Sequence, residues 1–195
     1  FGDNLDEPAR QVAAKARCSA ARTEQLRELG ICINYNGYGP SLTDLHFHPD
    51  RLYAALYEAG DPIAFLDSEA FRQLQSGYRD DVAASQALSP SHEAQGFAVY
   101  QLPNAAWARR VSGVFSNELV RAHPSRAHAV LTALDDGAYL VSVRAPFEGR
   151  TGAEALCSQF DTGGGREAAA GINRLPQNEV ERLIAALATQ YGGQR

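Results

Sequence analysis

The apolar positions of this chain change period near its middle. In the first half they recur at helical spacing. Leu52, Tyr53, Leu56 and Tyr57 share one face of a helix predicted over about 49–59, opened by Pro49 and ended by Gly60. Pro62 opens a further helical stretch that offers Ile63, Phe65, Leu66, Phe71 and Leu74 for burial. Ala and Arg are dense over 5–29, which predicts a helix with Gly30 as its stop. Ile31 to Pro40 is rich in turn formers and aromatics and reads as a loop. Its Asn and Tyr side chains either line a site or satisfy the loop's own backbone, and the second reading is preferred.

From about residue 96 the pattern alternates between strand and helix. Gly96 to Leu102 reads as a strand. Asn104 is placed to cap a helix running to about 122, with Trp107, Val111, Val114, Phe115 and Leu119 as its apolar stripe. Ala127 to Leu134 and Ala138 to Arg144 read as two strands of a hairpin, joined by Asp135-Asp136-Gly137. Thr151 to Phe160 reads as a short helix. Val180, Leu183, Ile184 and Leu187 stand at i, i+3, i+4 and i+7 of a last helix over about 177–190. The stretch 76–95 is polar and rich in Ala and Ser, with Pro90 near its end. It reads as a connector, helical in its first half.

Composition narrows the function classes. The 195 residues are 45% hydrophobic and 21% charged, which excludes a largely disordered chain. The net charge of −5 argues against general electrostatic attraction to nucleic acid or anionic lipid and leaves room only for a locally basic site. No apolar run approaches the roughly 20 residues that span a bilayer. Cys18, Cys32 and Cys157 lie far apart with no CxxC pair. This suggests neither a disulfide framework nor a thiolate zinc site, and a reducing cytoplasm is the expected compartment. The chain has no Met and begins at Phe1, which reads as a fragment lacking its N-terminal part.

Two features carry candidate chemistry. Thr162-Gly163-Gly164-Gly165-Arg166 runs into Glu167-Ala168-Ala169-Ala170-Gly171. Consecutive glycines suit a backbone that must approach a ligand closely, and their N–H groups can cradle phosphate oxygens. A helical Ala-rich stretch after them would add its N-terminal dipole. Arg166 supplies a permanent charge and a bidentate fork. The alternative is a linker or a tight turn. On the strand before, side chains alternate, so Ser142 and Arg144 share a face opposite Tyr139, Val141 and Val143. Arg144 is a solvated charge unless it faces the glycines. His46 and His48 at i, i+2 would face one side of an extended chain. They lack partners at metal-ligand spacing, and capping or packing is preferred. Arg109 and Arg110 read as solvated. Neither a G-x-S-x-G elbow nor a P-loop occurs.

Gly163-Gly164-Gly165-Arg166-Glu167-Ala168-Ala169-Ala170-Gly171 resembles the GGGH-x-x-AAG signature of the DHHA1 domain, the substrate-binding domain of the DHH phosphoesterase superfamily. Val141-Ser142-Val143-Arg144 is similar to that family's Ser-x-Arg strand. Asn34-Tyr35-Asn36-Gly37-Tyr38-Gly39 with Asp44-Leu45-His46-Phe47 resembles the end of a DHH catalytic domain. The resemblance implies an α/β fold: a mostly helical remnant of the DHH domain over 1–75, a connector over 76–95, and a mixed-sheet DHHA1-like domain over 96–195. It implies a metal-dependent phosphoesterase whose full-length form uses Mn²⁺ to activate water, with no cofactor expected in the fragment. The implied partner is a small phosphate-containing substrate or a short oligonucleotide. A homodimer is allowed and no membrane is expected. By the same resemblance Ser142, Arg144, Gly163, Gly164, Gly165 and Arg166 bind substrate, and Asp3 stands where a last metal ligand would. The sequence departs from the family in having no Asp-His-His string and in carrying Arg166 at the family's His. Arg keeps the charge but cannot trade a proton near neutral pH. The competing readings are a noncatalytic nucleotide- or RNA-binding module and a coenzyme-binding transferase.

Overall fold

The structure, a computed structural model, describes residues 1–3 and 5–193. Contacts divide it into two compact units, residues 1–81 and 82–195.

The first unit is helical: α1 (Asp6–Lys15), α2 (Ala20–Tyr35), α3 (Pro49–Ala59), α4 (Pro62–Phe65) and α5 (Glu69–Gln86), within which the division between the units falls. Its core gathers Leu29, Cys32, Leu52, Phe65, Phe71 and Leu74. The single helix expected over 5–29 is two helices. Arg17 takes a left-handed φ of 56°, and Ser19 then caps α2 by accepting from the Arg22 N–H. Gly30 is no stop and lies inside α2. Its missing side chain serves packing, since a Cβ there would stand 3.0 Å from the Gly2 nitrogen. Half of the expected 31–40 loop is therefore helix.

The two histidines of His46-Phe47-His48 go separate ways. His46 packs over Gly77, with Nε2 3.3 Å from Asp81 Oδ2. Tyr35 donates its hydroxyl to that same oxygen at 2.7 Å. His48 stands at the N-terminus of α3 and pairs with Asp50.

The second unit is a six-stranded mixed sheet with helices on both faces: β1 (His92–Glu93), β2 (Phe97–Leu102), β3 (Ala127–Ala133), β4 (Tyr139–Arg144), β5 (Gly163–Arg166) and β6 (Ala169–Leu175), in the order β1-β2-β3-β4-β6-β5. Only β2 and β3 run parallel among the neighbouring pairs, joined by the crossover helix α6 (Ala106–Ala122). The Asp-Gly hairpin between β3 and β4 forms as its sequence predicts, with Leu134 N–H bonded to the Ala138 carbonyl. Asn104 does not cap α6. Its amide donates to Asp135 instead, and Ala105 takes the cap position. Arg110, expected in solvent, is buried.

Alternation of side chains along the strands builds two cores. Ala98, Tyr100, Leu102 and Val130 face α6 through Ala108, Val111 and Phe115. Phe97, Val99, Leu131, Val141, Val143 and Ile172 face the other way, under α7 (Ala153–Cys157) and α8 (Val180–Tyr191). No helix among the described residues is long and apolar enough to cross a membrane.

Candidate anion-binding site

Of the residues singled out from sequence, Ser142, Arg144, Gly164 and Arg166 lie on the α6 face of the sheet, while Gly163 and Gly165 alternate to the other face. Ser142 pairs with Gly171, and Gly171 pairs with Gly164 on the far side. Arg144 pairs with Ala169, and Ala169 pairs with Arg166. Directly paired residues point to the same side of a sheet, so these two rows are continuous surfaces. The adjacent β3 residues in the same rows are Val130 and His128. Helix α6 packs over β3 and β4. On β6 and β5 the face remains partly open: Gly164, Ala169 and Gly171 are half-buried and Arg166 is exposed.

The triple glycine is not a loop. It forms the edge strand β5, and the Ala-rich stretch expected as a possible helix is the partner strand β6. The two join through Glu167 and Ala168. With a strand in place of the expected helix, no helix dipole points at this position.

The three glycines serve different ends. A Cβ on Gly163 would collide with the Cys157 carbonyl oxygen, so Gly163 lets α7 sit tightly on the sheet. Gly165 has a φ of +149°, and a Cβ there would lie 2.5 Å from the Ala170 Cα. Gly171 likewise allows close strand approach, 2.7 Å from the Val141 carbonyl oxygen to the site a Cβ would take. Gly164 differs from all of these. A Cβ on it would meet nothing within 4 Å. The fold itself does not demand glycine at this position, and its open side is the side that carries Ser142, Arg144 and Arg166.

The charge of the site is unbalanced. Arg144 donates Nε to Asn117 Oδ1 of α6 at 3.0 Å and Nη1 to the Val143 carbonyl at 3.3 Å. The Arg166 side chain makes no hydrogen bond or ion pair among the described residues, and no carboxylate pairs with Arg144. The nearest acid in sequence, Glu167, is engaged elsewhere and accepts from the Gly152 N–H. Burial, and then the neighbouring Arg166 charge, hold the Arg144 pKa below its ordinary value. A guanidinium stays charged regardless, so two unneutralised cations share one face of an acidic protein.

His128, the cross-strand neighbour of Arg144, is fully buried. Burial above all, then Arg126 and His123, push its pKa down to about 4. Its Nδ1 has no hydrogen-bond partner. A neutral ring beside Arg144 adds no competing positive charge near pH 7.

Sequence reasoning missed Asn117 and His128. Neither carries a motif, and only the register of β3 and the seating of α6 bring them to Arg144. Asp3 is exposed, and among the described residues no three His, Cys, Asp or Glu side chains gather to hold a metal. The described residues do not fit the Mn²⁺ centre that the sequence resemblance implies. Cys157 is no nucleophile candidate either: it is buried, and burial pushes its thiol up to about 12.

No family model matches the sequence. No curated protein matches it. Among solved structures, the pGpG-specific phosphodiesterase PggH from Vibrio cholerae superposes with a TM-score of 0.52 at 14% identity, over 85% of this chain and 56% of PggH. The chain thus spans little more than half the length of that relative. RecJ from Thermus thermophilus superposes less well. Its Mn²⁺ complex gives a TM-score of 0.48 at 18% identity, over 94% of this chain and 28% of RecJ. Its Mg²⁺ complex gives 0.47 at 18%, over 95% and 30%. Overlap at the RecJ level does not establish a shared topology. The agreement with PggH, together with the mixed sheet and its two helical faces, shows a fold shared with that protein over most of this chain.

Proposed function

We propose that the open face of β4, β6 and β5 binds a phosphate group of a nucleotide-type substrate, and that the chain is the substrate-binding part of a metal-dependent phosphoesterase. The observation that carries this reading is the row Arg144–Ala169–Arg166. Two guanidiniums flank a methyl group, with a glycine-floored row beside them and no carboxylate to neutralise either. Strand spacing sets their Cα atoms about 10 Å apart, and two long side chains can close on one phosphoryl group across that gap. Ser142 adds a hydroxyl donor. Gly164 allows the ligand to approach the backbone itself. The fold shared with a phosphodiesterase favours a phosphodiester or oligonucleotide as the molecule that carries the phosphate.

This chain's own contribution is binding and orientation. Arg144 is held by Asn117, so its fork is partly preorganised before the ligand arrives. The metals of such an enzyme supply activated water, and the described side chains assign that role to no residue of this chain.

The test is titration of the full chain with a short single-stranded oligonucleotide at fixed ionic strength. The comparison is between the wild type and the double variant Arg144→Gln/Arg166→Gln. Hydrogen bonds to charged groups contribute about 1.5–3 kcal/mol each, so affinity should fall by at least about 100-fold. Unchanged affinity in the double variant overturns the proposal.

A further inference from the structure

The first, helical unit carries an aromatic feature that its core does not use. The pattern Leu52, Tyr53, Leu56, Tyr57 offers all four side chains to one apolar face. In α3 only the leucines pack: Leu52 is buried, and Leu56 lies against the core cluster. Tyr53 and Tyr57 stay 69% and 78% exposed. Their rings nevertheless stack on each other, with centroids 6.2 Å apart and planes 22° from parallel. Neither hydroxyl has a hydrogen-bond partner among the described residues. The helix does not need them for its ends either, since Pro49 opens it and Gly60 closes it at a left-handed φ of 67°. Two large rings are thus held in order in water, and the fold gains little from them beyond one i, i+4 contact.

The charges around the pair are one-sided. Asp50, Arg51, Glu58 and Asp61 are exposed, three acids against one base. Asp50 and Glu58 fall with Tyr53, Ala54 and Tyr57 on one exposed stripe of α3, at i, i+3, i+4, i+7 and i+8. Asp50 is engaged with His48 and the Arg51 N–H, and Asp61 caps α4 by accepting from the Ile63 N–H. Glu58 has no hydrogen bond or ion pair among the described residues, so its carboxylate is open to a partner.

Each class of occupant meets this pattern differently. Nucleic acid brings phosphates to an acidic rim and is repelled. A second copy has too little to bury: two tyrosines that expose about 300 Å² per molecule fall well short of the roughly 800 Å² per partner of a stable interface. A guanidinium fits both parts of the surface. It stacks on the electron-rich face of an aromatic ring, keeps its edge N–H groups for a carboxylate, and is less strongly hydrated than an ammonium.

We propose that the Tyr53–Tyr57 face of α3 is a docking surface for an arginine-bearing segment of a partner protein. A guanidinium of that segment stacks on the tyrosine pair and donates to the Glu58 carboxylate. The ligand is a cation, opposite in charge to that of the anion site, so this inference and the phosphate-binding reading stand or fall separately.

The experiment titrates the full chain with octa-arginine and with octa-lysine, peptides of equal charge, at one ionic strength. Wild type should bind octa-arginine about fivefold more tightly than octa-lysine. Tyr53→Ser/Tyr57→Ser should lose that preference and keep octa-lysine affinity within twofold. Tyr53→Leu/Tyr57→Leu keeps apolar bulk without the aromatic face, which guards against misfolding, and should show the same selective loss. Glu58→Gln should weaken octa-arginine by about threefold. If wild type shows no preference for arginine, or the leucine variant keeps it, the docking surface is wrong. A tyrosine-dependent dimer in sedimentation, or tyrosine-dependent binding of a single-stranded oligonucleotide in place of octa-arginine, overturns it as well.

Discussion

Arg144 on β4 and Arg166 on β5 stand in one row across the sheet, with only the methyl group of Ala169 between them. The two residues are 22 positions apart in sequence. An intervening strand, inserted between them by the return of β6, aligns their side chains on a single face. That alignment sets a half-buried and an exposed guanidinium on one face of the sheet.

The glycines of β5 make the sharpest test of which positions serve the fold and which serve a ligand. Gly163→Ala drives a methyl into the Cys157 carbonyl and should destabilise the protein by about 3 kcal/mol, read as a lowered denaturation midpoint. Gly164→Ala meets no atom within 4 Å and should leave the midpoint within about 0.5 kcal/mol of wild type. The same variant should lower oligonucleotide affinity by about tenfold. A Gly164→Ala protein that is fully stable and binds normally would show that nothing occupies the open side of that strand.

Asn117→Ala removes the acceptor that orients Arg144 through its Nε. The charge remains and its direction is lost. Affinity for the oligonucleotide should fall by about three- to tenfold, consistent with one charge-assisted hydrogen bond. Stability should change by less than about 1 kcal/mol, because Asn117 is only half-buried. Isothermal titration beside urea unfolding separates the two effects.

His128 predicts an acid-side loss of stability. Burial disfavours the imidazolium, so the folded protein takes up its proton near pH 4 while the unfolded chain takes it up near 6.5. The unfolded state gains that proton first as pH falls. The stabilisation is therefore complete above about pH 6.5, declines between 6.5 and 4, and amounts to about 3 kcal/mol. Urea unfolding at pH 7 and at pH 4.5 should show a steeper loss for wild type than for His128→Gln. Parallel losses in the two proteins would remove His128 from the account.

The three thiols should differ in reactivity. Cys32 and Cys157 are buried, and burial first of all pushes them up to about 11 and about 12. Cys18 is partly exposed. Alkylation of the native protein at pH 8, read by peptide mass, should label Cys18 first and reach the other two only on unfolding.

Local pattern alone placed much of this molecule. Val180, Leu183, Ile184 and Leu187 announce α8, and the Asp-Gly pair announces the β3–β4 hairpin, because each signal involves neighbours in sequence and the short-range physics of turns and amphipathic faces. Alternation along β4 likewise put Ser142 and Arg144 on one side of their strand. The same local reasoning failed where a distant element decides the outcome. Gly30 lies inside a helix with Gly2 packed against it, and the Gly163–Gly165 run is an edge strand because β6 pairs with it and α7 lies over it. No periodicity reveals that Asn117 holds the Arg144 guanidinium. That relationship is set by strand register and by where α6 comes to rest, which depend on long-range packing across the whole unit.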